Sequence, residues 1–428
     1  MKRFILILLL AVAGFGGAAT GYAGVQDDYE EAAKLRLAAG ACLAAYNART
    51  GMLAREYFRQ DGWEIRPFVK SSKEADARFL LARKMSPAGR PRYLLAVVGT
   101  ETWKDLQVDL RTGKVYFAGR TPEEFAANAR RADMPDSAPK VHRGFYEYMQ
   151  AALANKAPDD DGGGRELGEL LLADGTAKVY LVGHSLGGAV ATLIGARLLA
   201  MGVKPAQIEV ITFGAPAVGN AAFARAYEPQ LNLTRVVISG DAVTGVLQQL
   251  VGGYKQFGRE LLWQQSPLFS GSPHAVEEYL DLAIKRFYDA RKAARQAGAA
   301  ALPAHSPVWS GPQVYVAPLV KKLPAVLAQE GWYMEQAVAD EYRRLLPGYV
   351  PGGPPDADPR ERAAAGGSRW YIVPEVSGEK LKNEQNQYVV VFQQTVYDTD
   401  SGEAVDFVVF SSVTANMTPL EEKTTKST

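Results

Sequence analysis

Cysteine is nearly absent from this chain. Cys42 stands alone among 428 residues, which excludes an internal disulfide whatever the redox compartment. It lies in the Ala/Leu-rich stretch EEAAKLRLAAGACLAAYNA, where a small packed residue is the simpler reading than a reactive thiol. Histidine is scarce too. Four scattered histidines and one cysteine give no ligand set for a structural metal, and neither metal nor organic cofactor is expected.

An excess of one charge is also missing. The 48 Lys+Arg against 47 Asp+Glu leave a net charge of +1, and no basic block resembles a phosphate-binding patch. Nothing therefore draws the chain toward nucleic acid or an anionic membrane. Long apolar runs are few. The run from Phe4 to about Phe15 is too short for a comfortable membrane span. Its basic start and the small residues near Ala23 read as a secretory signal over residues 1–23. A secreted or periplasmic mature chain without a transmembrane span is expected, with an uncleaved N-terminal anchor as the alternative. No internal repeat is present.

Apolar, β-rich runs alternate with helical ones. Phe79 to Ala82, Tyr93 to Val98, Val179 to Val182, Ile208 to Phe213 and Arg235 to Ser239 read as strands, and Leu186 to Met201 as a helix. That alternation predicts an α/β fold around a mostly parallel sheet. Helical patterns resume over Ala275 to Gln296 and Val320 to Leu346. The expected division is an α/β domain over 24–346, with a helical extension from about 285. A Pro/Gly-rich linker (347–368), a β-hairpin region (369–417, turning at Asp400-Ser401-Gly402) and a polar tail (418–428) follow.

The segment KVYLVGHSLGGAVATLIGA sets Ser185 between Gly183 and Gly187, after an apolar strand and before a helix opening on small residues. That is the context of a nucleophile elbow, G-x-S-x-G. A strained turn lifts the hydroxyl above the sheet, and side chains two positions either side would strike backbone. The helix N-terminus favours negative charge at the same place. The alternative is that the glycines serve only tight helix–sheet packing.

With these residues in view, the chain resembles the class 3 lipases, the fungal-lipase branch of the α/β hydrolases. VVGTETWKDLQVDL resembles the family's strand ending in R-G-[ST]. VHRGF matches V-H-x-G-F, and TFGAPAVGN matches T-F-G-x-P-x-V-G-N. ISGDAV resembles the segment carrying the acid. The likeness covers roughly Asp27 to Ile284. Val98 replaces the usual Arg, Leu106 takes the usual Trp position, and Thr244 replaces a Pro.

The resemblance implies an α/β-hydrolase fold and a triad in the order Ser, Asp, His. Asp241, following the strand RVVIS and Gly240, would be the acid. His274, which comes after it and opens a helix, would be the base, with His305 the runner-up. His184 adjoins the nucleophile and cannot curl back to it. His142 belongs to V-H-x-G-F, with a structural role or one near the acyl pocket. The N–H groups of Leu186 and Thr100 would receive the oxyanion. In the family a mobile helix follows the oxyanion residue. Here Trp103, Leu106 and Leu110 make a stripe at helical spacing that could be such a lid, or could equally pack into the core.

The expected activity is hydrolysis of carboxylic esters, foremost the acyl esters of lipids at an interface, through an acyl-enzyme. Two alternatives stand beside it. One is a secreted esterase for soluble short-chain or non-lipid esters. The other is an inactive hydrolase scaffold serving as a binding protein. Oligomeric state, lipid class and the role of 285–428 are left open by the sequence.

Overall fold

The computed structural model describes residues 2–46, 49–71, 76–99, 113–153, 156–157, 165–245, 248, 252–266, 272–299, 311–346, 348–353, 357–381 and 387–413. The chain divides into two compact units. One comprises Leu35–Gln265 with Gly271–Leu280, and the other comprises Met1–Lys34, Ser266–Ser270 and Asp281–Thr428.

The first unit is built on a seven-stranded sheet. Its strands are β1 (Glu64–Ser71), β2 (Asp76–Met85), β3 (Pro91–Val97), β4 (Lys178–His184), β5 (Ile208–Phe213), β6 (Leu233–Ile238) and β7 (Arg259–Trp263), which lie side by side in chain order. β1 to β3 are antiparallel, and β3 to β7 are parallel. The parallel strands β3 to β6 are near-continuous buried runs because helices cover parallel sheets on both faces, whereas the edge strand β7 is mostly exposed. Leu94, Ala96, Leu181, Val182, Val210 and Val236 are accordingly fully buried. The helix Leu186–Met201 follows β4 and buries every residue from Leu186 to Leu198. Alternating strand and helix with an elbow after β4 makes this an α/β-hydrolase fold. The five strands read from sequence all appear, shifted by at most three residues at their ends.

The second unit holds a six-stranded mixed sheet. β8 (Val314–Val316) lies between β10 (Tyr349–Pro351) and β11 (Trp370–Lys380), parallel to both, and β9 (Val320–Lys322) also runs parallel to β11. β12 (Tyr388–Asp398) and β13 (Ala404–Val413) extend the sheet as the expected hairpin.

Two expectations are corrected here. Residues 320–322, expected to be helical, are strand β9; Pro324 then interrupts, and the α-helix starts only at Gly331 after a 3-10 turn over Ala325–Glu330. The expected linker 347–368 contains β10 and a helix, Pro359–Ala365, whose N-terminus is capped by the Asp358 carboxylate accepting from the Arg360 N–H. Ala363 of that helix is fully buried. Proline and glycine are compatible with a short edge strand and a helix start, so composition alone overstated the looseness. The last break between the units falls between residues 280 and 281, and none falls after 346.

Candidate active site

Ser185 is the sole non-glycine residue with positive φ among those described (φ 58°, ψ −131°). β-Strand geometry ends at His184 and the helix begins at Leu186, so the entire reversal falls on this residue. Its N–H donates to the Phe213 carbonyl (2.9 Å), which ties the elbow to the neighbouring strand. The flanking glycines are required by space. A Cβ on Gly183 would lie 2.3 Å from the Gly187 carbonyl carbon, and one on Gly187 would lie 2.1 Å from the Val97 oxygen. The steric account of G-x-S-x-G therefore holds for this backbone, and the strain is confined to one residue.

His274 lies two residues before the helix Val276–Gln296, and its Nε2 is 2.8 Å from Ser185 Oγ. Its Nδ1 is 3.0 and 2.9 Å from the two oxygens of Asp241. A carboxylate can only accept here, so Nδ1 carries the proton and Nε2 presents its lone pair to the serine hydroxyl. Asp241 follows the C-terminal end of β6 and is buried. Its carboxylate also accepts from the Val243 N–H (3.0 Å) and the Tyr279 hydroxyl (2.7 Å). Tyr279 in turn accepts from the Ile238 N–H (3.1 Å). Burial and the neighbouring Asp241 push the Tyr279 phenol well above its ordinary range, so it stays a donor. Thr244, where the family has Pro, donates its hydroxyl to the Asp241 carbonyl (2.9 Å). Gly214 (φ 59°) completes the fit, since a Cβ there would lie 2.6 Å from Asp241 Oδ2 and 3.0 Å from His274 Nδ1.

His184 is buried behind the elbow and contributes through other atoms. Its Nε2 is 2.7 Å from the His274 carbonyl oxygen, and its Nδ1 is 3.2 Å from the Tyr46 hydroxyl. The carbonyl must accept, so Nε2–H donates to it and Nδ1 accepts from Tyr46. Burial, then the nearby His274, hold His184 well below its ordinary pKa, so the imidazole is neutral. The result is a chain of hydrogen bonds from Tyr46 through His184 to the backbone of His274. Gly99 is packed tightly, because a Cβ there would lie 3.2 Å from Ser185 Cβ. Sequence reasoning missed Tyr46 altogether and set His184 aside. No local signal marks a tyrosine just past the end of an Ala-rich helix.

Leu186 opens the elbow helix, where an N–H has no intrahelical acceptor. His142 is fully buried, with Phe145 and Tyr254 as ring neighbours (4.3 and 6.3 Å between centroids), and its Nδ1 accepts from the Phe145 N–H (3.4 Å). Thr100, Trp103, Leu106, Leu110 and His305 fall outside the described residues, and with them the second oxyanion donor, the lid and the runner-up base.

A family model described as Lipase (class 3) matches residues 94–250. Over this segment the chain is similar to the class 3 lipases. It is 51% identical over 67 residues to Lipase ZK262.3 of Caenorhabditis elegans, covering 15% of this chain and 19% of the relative. It is 30% identical over 205 residues to Phospholipase A1 EG1, chloroplastic/mitochondrial, of Oryza sativa subsp. indica, covering 43% and 46%. Secreted mono- and diacylglycerol lipase 1 of Fusarium solani matches at 34% over 129 residues, covering 30% and 35%. The matched part thus spans from about a fifth to just under half of these relatives' lengths. Among solved structures, a lipase from Rhizopus microsporus var. chinensis is similar at 22% identity, covering 56% of this chain and 76% of that one with a TM-score of 0.41.

Proposed function

We infer that this chain is a class 3 lipase that hydrolyses carboxylic esters of lipids, with Ser185 as nucleophile, His274 as general base and acid, and Asp241 as the orienting carboxylate. The observation that carries this reading is the unbroken Ser185–His274–Asp241 chain, at 2.8 and 2.9–3.0 Å, meeting at the strained elbow. Ser185 Oγ attacks the ester carbonyl carbon while His274 Nε2 takes its proton. The imidazolium gains the Asp241 carboxylate as counter-charge, then returns the proton to the departing alcohol. Water, deprotonated by the same nitrogen, splits the acyl-enzyme and releases the acid. The oxyanion is received by the N–H of Leu186 and that of Thr100, each donor being worth about 2.7–4 kcal/mol in such sites.

The lipid character of the substrate is supported by the relatives, whose names read lipase, phospholipase A1 and mono- and diacylglycerol lipase. Trp103 and Leu106 would cover the acyl pocket in water and turn onto a lipid surface, and export would follow from the leader-like residues 1–23. The deciding experiment is a fluorophosphonate probe with a long-chain ester assay. Wild-type protein takes up the probe and turns over the ester, and Ser185→Ala, folded by circular dichroism, does neither. Turnover by the alanine variant near the wild-type rate would overthrow the assignment. A folded wild-type chain that ignores the probe would leave the scaffold-only reading in its place.

A further inference from the structure

The outer strand of the second unit's sheet is the most exposed apolar element described. β13, with sequence AVDFVVFSSV, pairs with β12 on one side, and no described strand pairs with its other edge. Val405 (55%), Phe407 (62%), Val409 (45%) and Phe410 (44%) are exposed. Side chains alternate along the regular part of the strand, so Phe407 and Val409 point to one face and Phe410 to the other. Natural edge strands are guarded by lysine, proline, bulges or shortness. This one is ten residues long, has neither lysine nor proline, and carries Asp406 as its one charge; its register shifts once, at Val405 opposite Val396 and Tyr397, and the regular edge is Asp406 to Val413.

The backbone shows which groups are available. The Phe407 N–H donates to its neighbour Asp406's carboxylate (2.7 Å) rather than to β12, so Phe407, Val409 and Ser411 turn their N–H and C=O groups outward.

We propose that β13 is a homodimer interface, on which the β13 of a second copy adds antiparallel about a two-fold axis at Val409. Exposure on both faces as well as along the edge decides the class of occupant. A lipid surface would cover one face and leave the other face and the backbone groups wet, whereas a further strand satisfies the backbone and extends both faces. The sequence is compatible with itself in that arrangement. Val409 meets its own copy, Val408 faces Phe410 and Phe407 faces Ser411, and Asp406, the strand's one charge, is not opposed by another carboxylate.

The test is sedimentation velocity of the full chain from low to high micromolar concentration. The wild type should reach the mass of two chains. Phe407→Lys and Val409→Pro should both sediment as one chain with an unchanged thermal midpoint, because residue 409 directs its N–H away from β12. Val409→Cys, a mild change, should cross-link to a dimer with a short bis-maleimide, against a silent background because Cys42 is the sole native thiol and is buried. Wild type at one-chain mass throughout would overturn the proposal. So would association that survives both interface variants, or monomers that bind phosphatidylcholine vesicles through Phe407 without dimerising.

Discussion

Tyr46 and His184 are 138 residues apart in the chain, yet their side chains meet behind the nucleophile. Tyr46→Phe keeps the ring and removes one oxygen, which leaves His184 Nδ1 without that donor in a buried place. An unsatisfied buried polar group costs about 1–3 kcal/mol. His184 holds the His274 carbonyl, so part of that loss should appear as misplacement of the imidazole. The expected outcome is a fall in kcat of about tenfold, or ~1.4 kcal/mol, with KM little changed. A variant with full kcat would make the chain a passive packing feature. Ser185 could be nominated from its motif, Asp241 from the strand before it, and His274 from its place after Asp241 in the order that the resemblance implies. Tyr46 could not, since its role depends on a contact that only the fold creates.

Elements were legible in proportion to their length and burial. β4 and its following helix could be bounded from sequence because a buried strand and a buried helix each leave a sustained pattern. β9, three residues beside a proline, leaves none, and its lysines give no hint of the ladder it forms with β11. The helix Val276–Gln296 was legible as a helix, but not for what it buries. Lys285 reaches Asp281 (2.7 Å) and, across to the 3-10 turn, Glu330 (3.0 Å), and it is mostly buried. Burial pulls its pKa down, but the two carboxylates outweigh this and hold the ammonium charged above its ordinary range. Burial also raises the Glu330 carboxyl, with Lys285 opposing. Lys285→Met should therefore destabilise the fold by about 3–5 kcal/mol at pH 8, because it removes the buried ammonium that counters the charge of Asp281 and Glu330. A carboxyl whose folded pKa lies above its unfolded one binds a proton more readily when folded, so its destabilisation shrinks as pH falls toward that folded value. Urea unfolding of the variant at pH 8 and pH 5 checks this. A deficit that is equal at both would mean that the carboxylates find other partners.

On the scale of the whole molecule, composition suggested a hydrolase domain followed by a loose linker at 347–368, whereas the second unit is continuous through that segment. β8 depends on β10 and β11 for its hydrogen bonds, and β9 depends on β11. A chain ending at Leu346 therefore keeps two strands and removes every strand partner described for them. Tyr315, Val316 and Ala317, buried in the intact sheet, would lose their cover. Ser185, Asp241 and His274 all lie in the other unit, within Leu35–Gln265 and Gly271–Leu280. Truncation after Leu346 should accordingly separate two readouts. Residues 311–346 should become susceptible to trypsin at Lys321 and Lys322, since local stability follows local packing. Fluorophosphonate labelling of Ser185 should persist in whatever protein remains soluble. Mass spectrometry of timed digests, with the probe added first, reads both in one experiment. Protection of 311–346 in the truncated chain would show that these strands do not rely on β11. Loss of labelling together with protection of the strands would place the dependence of the triad on the C-terminal third, against the division found here.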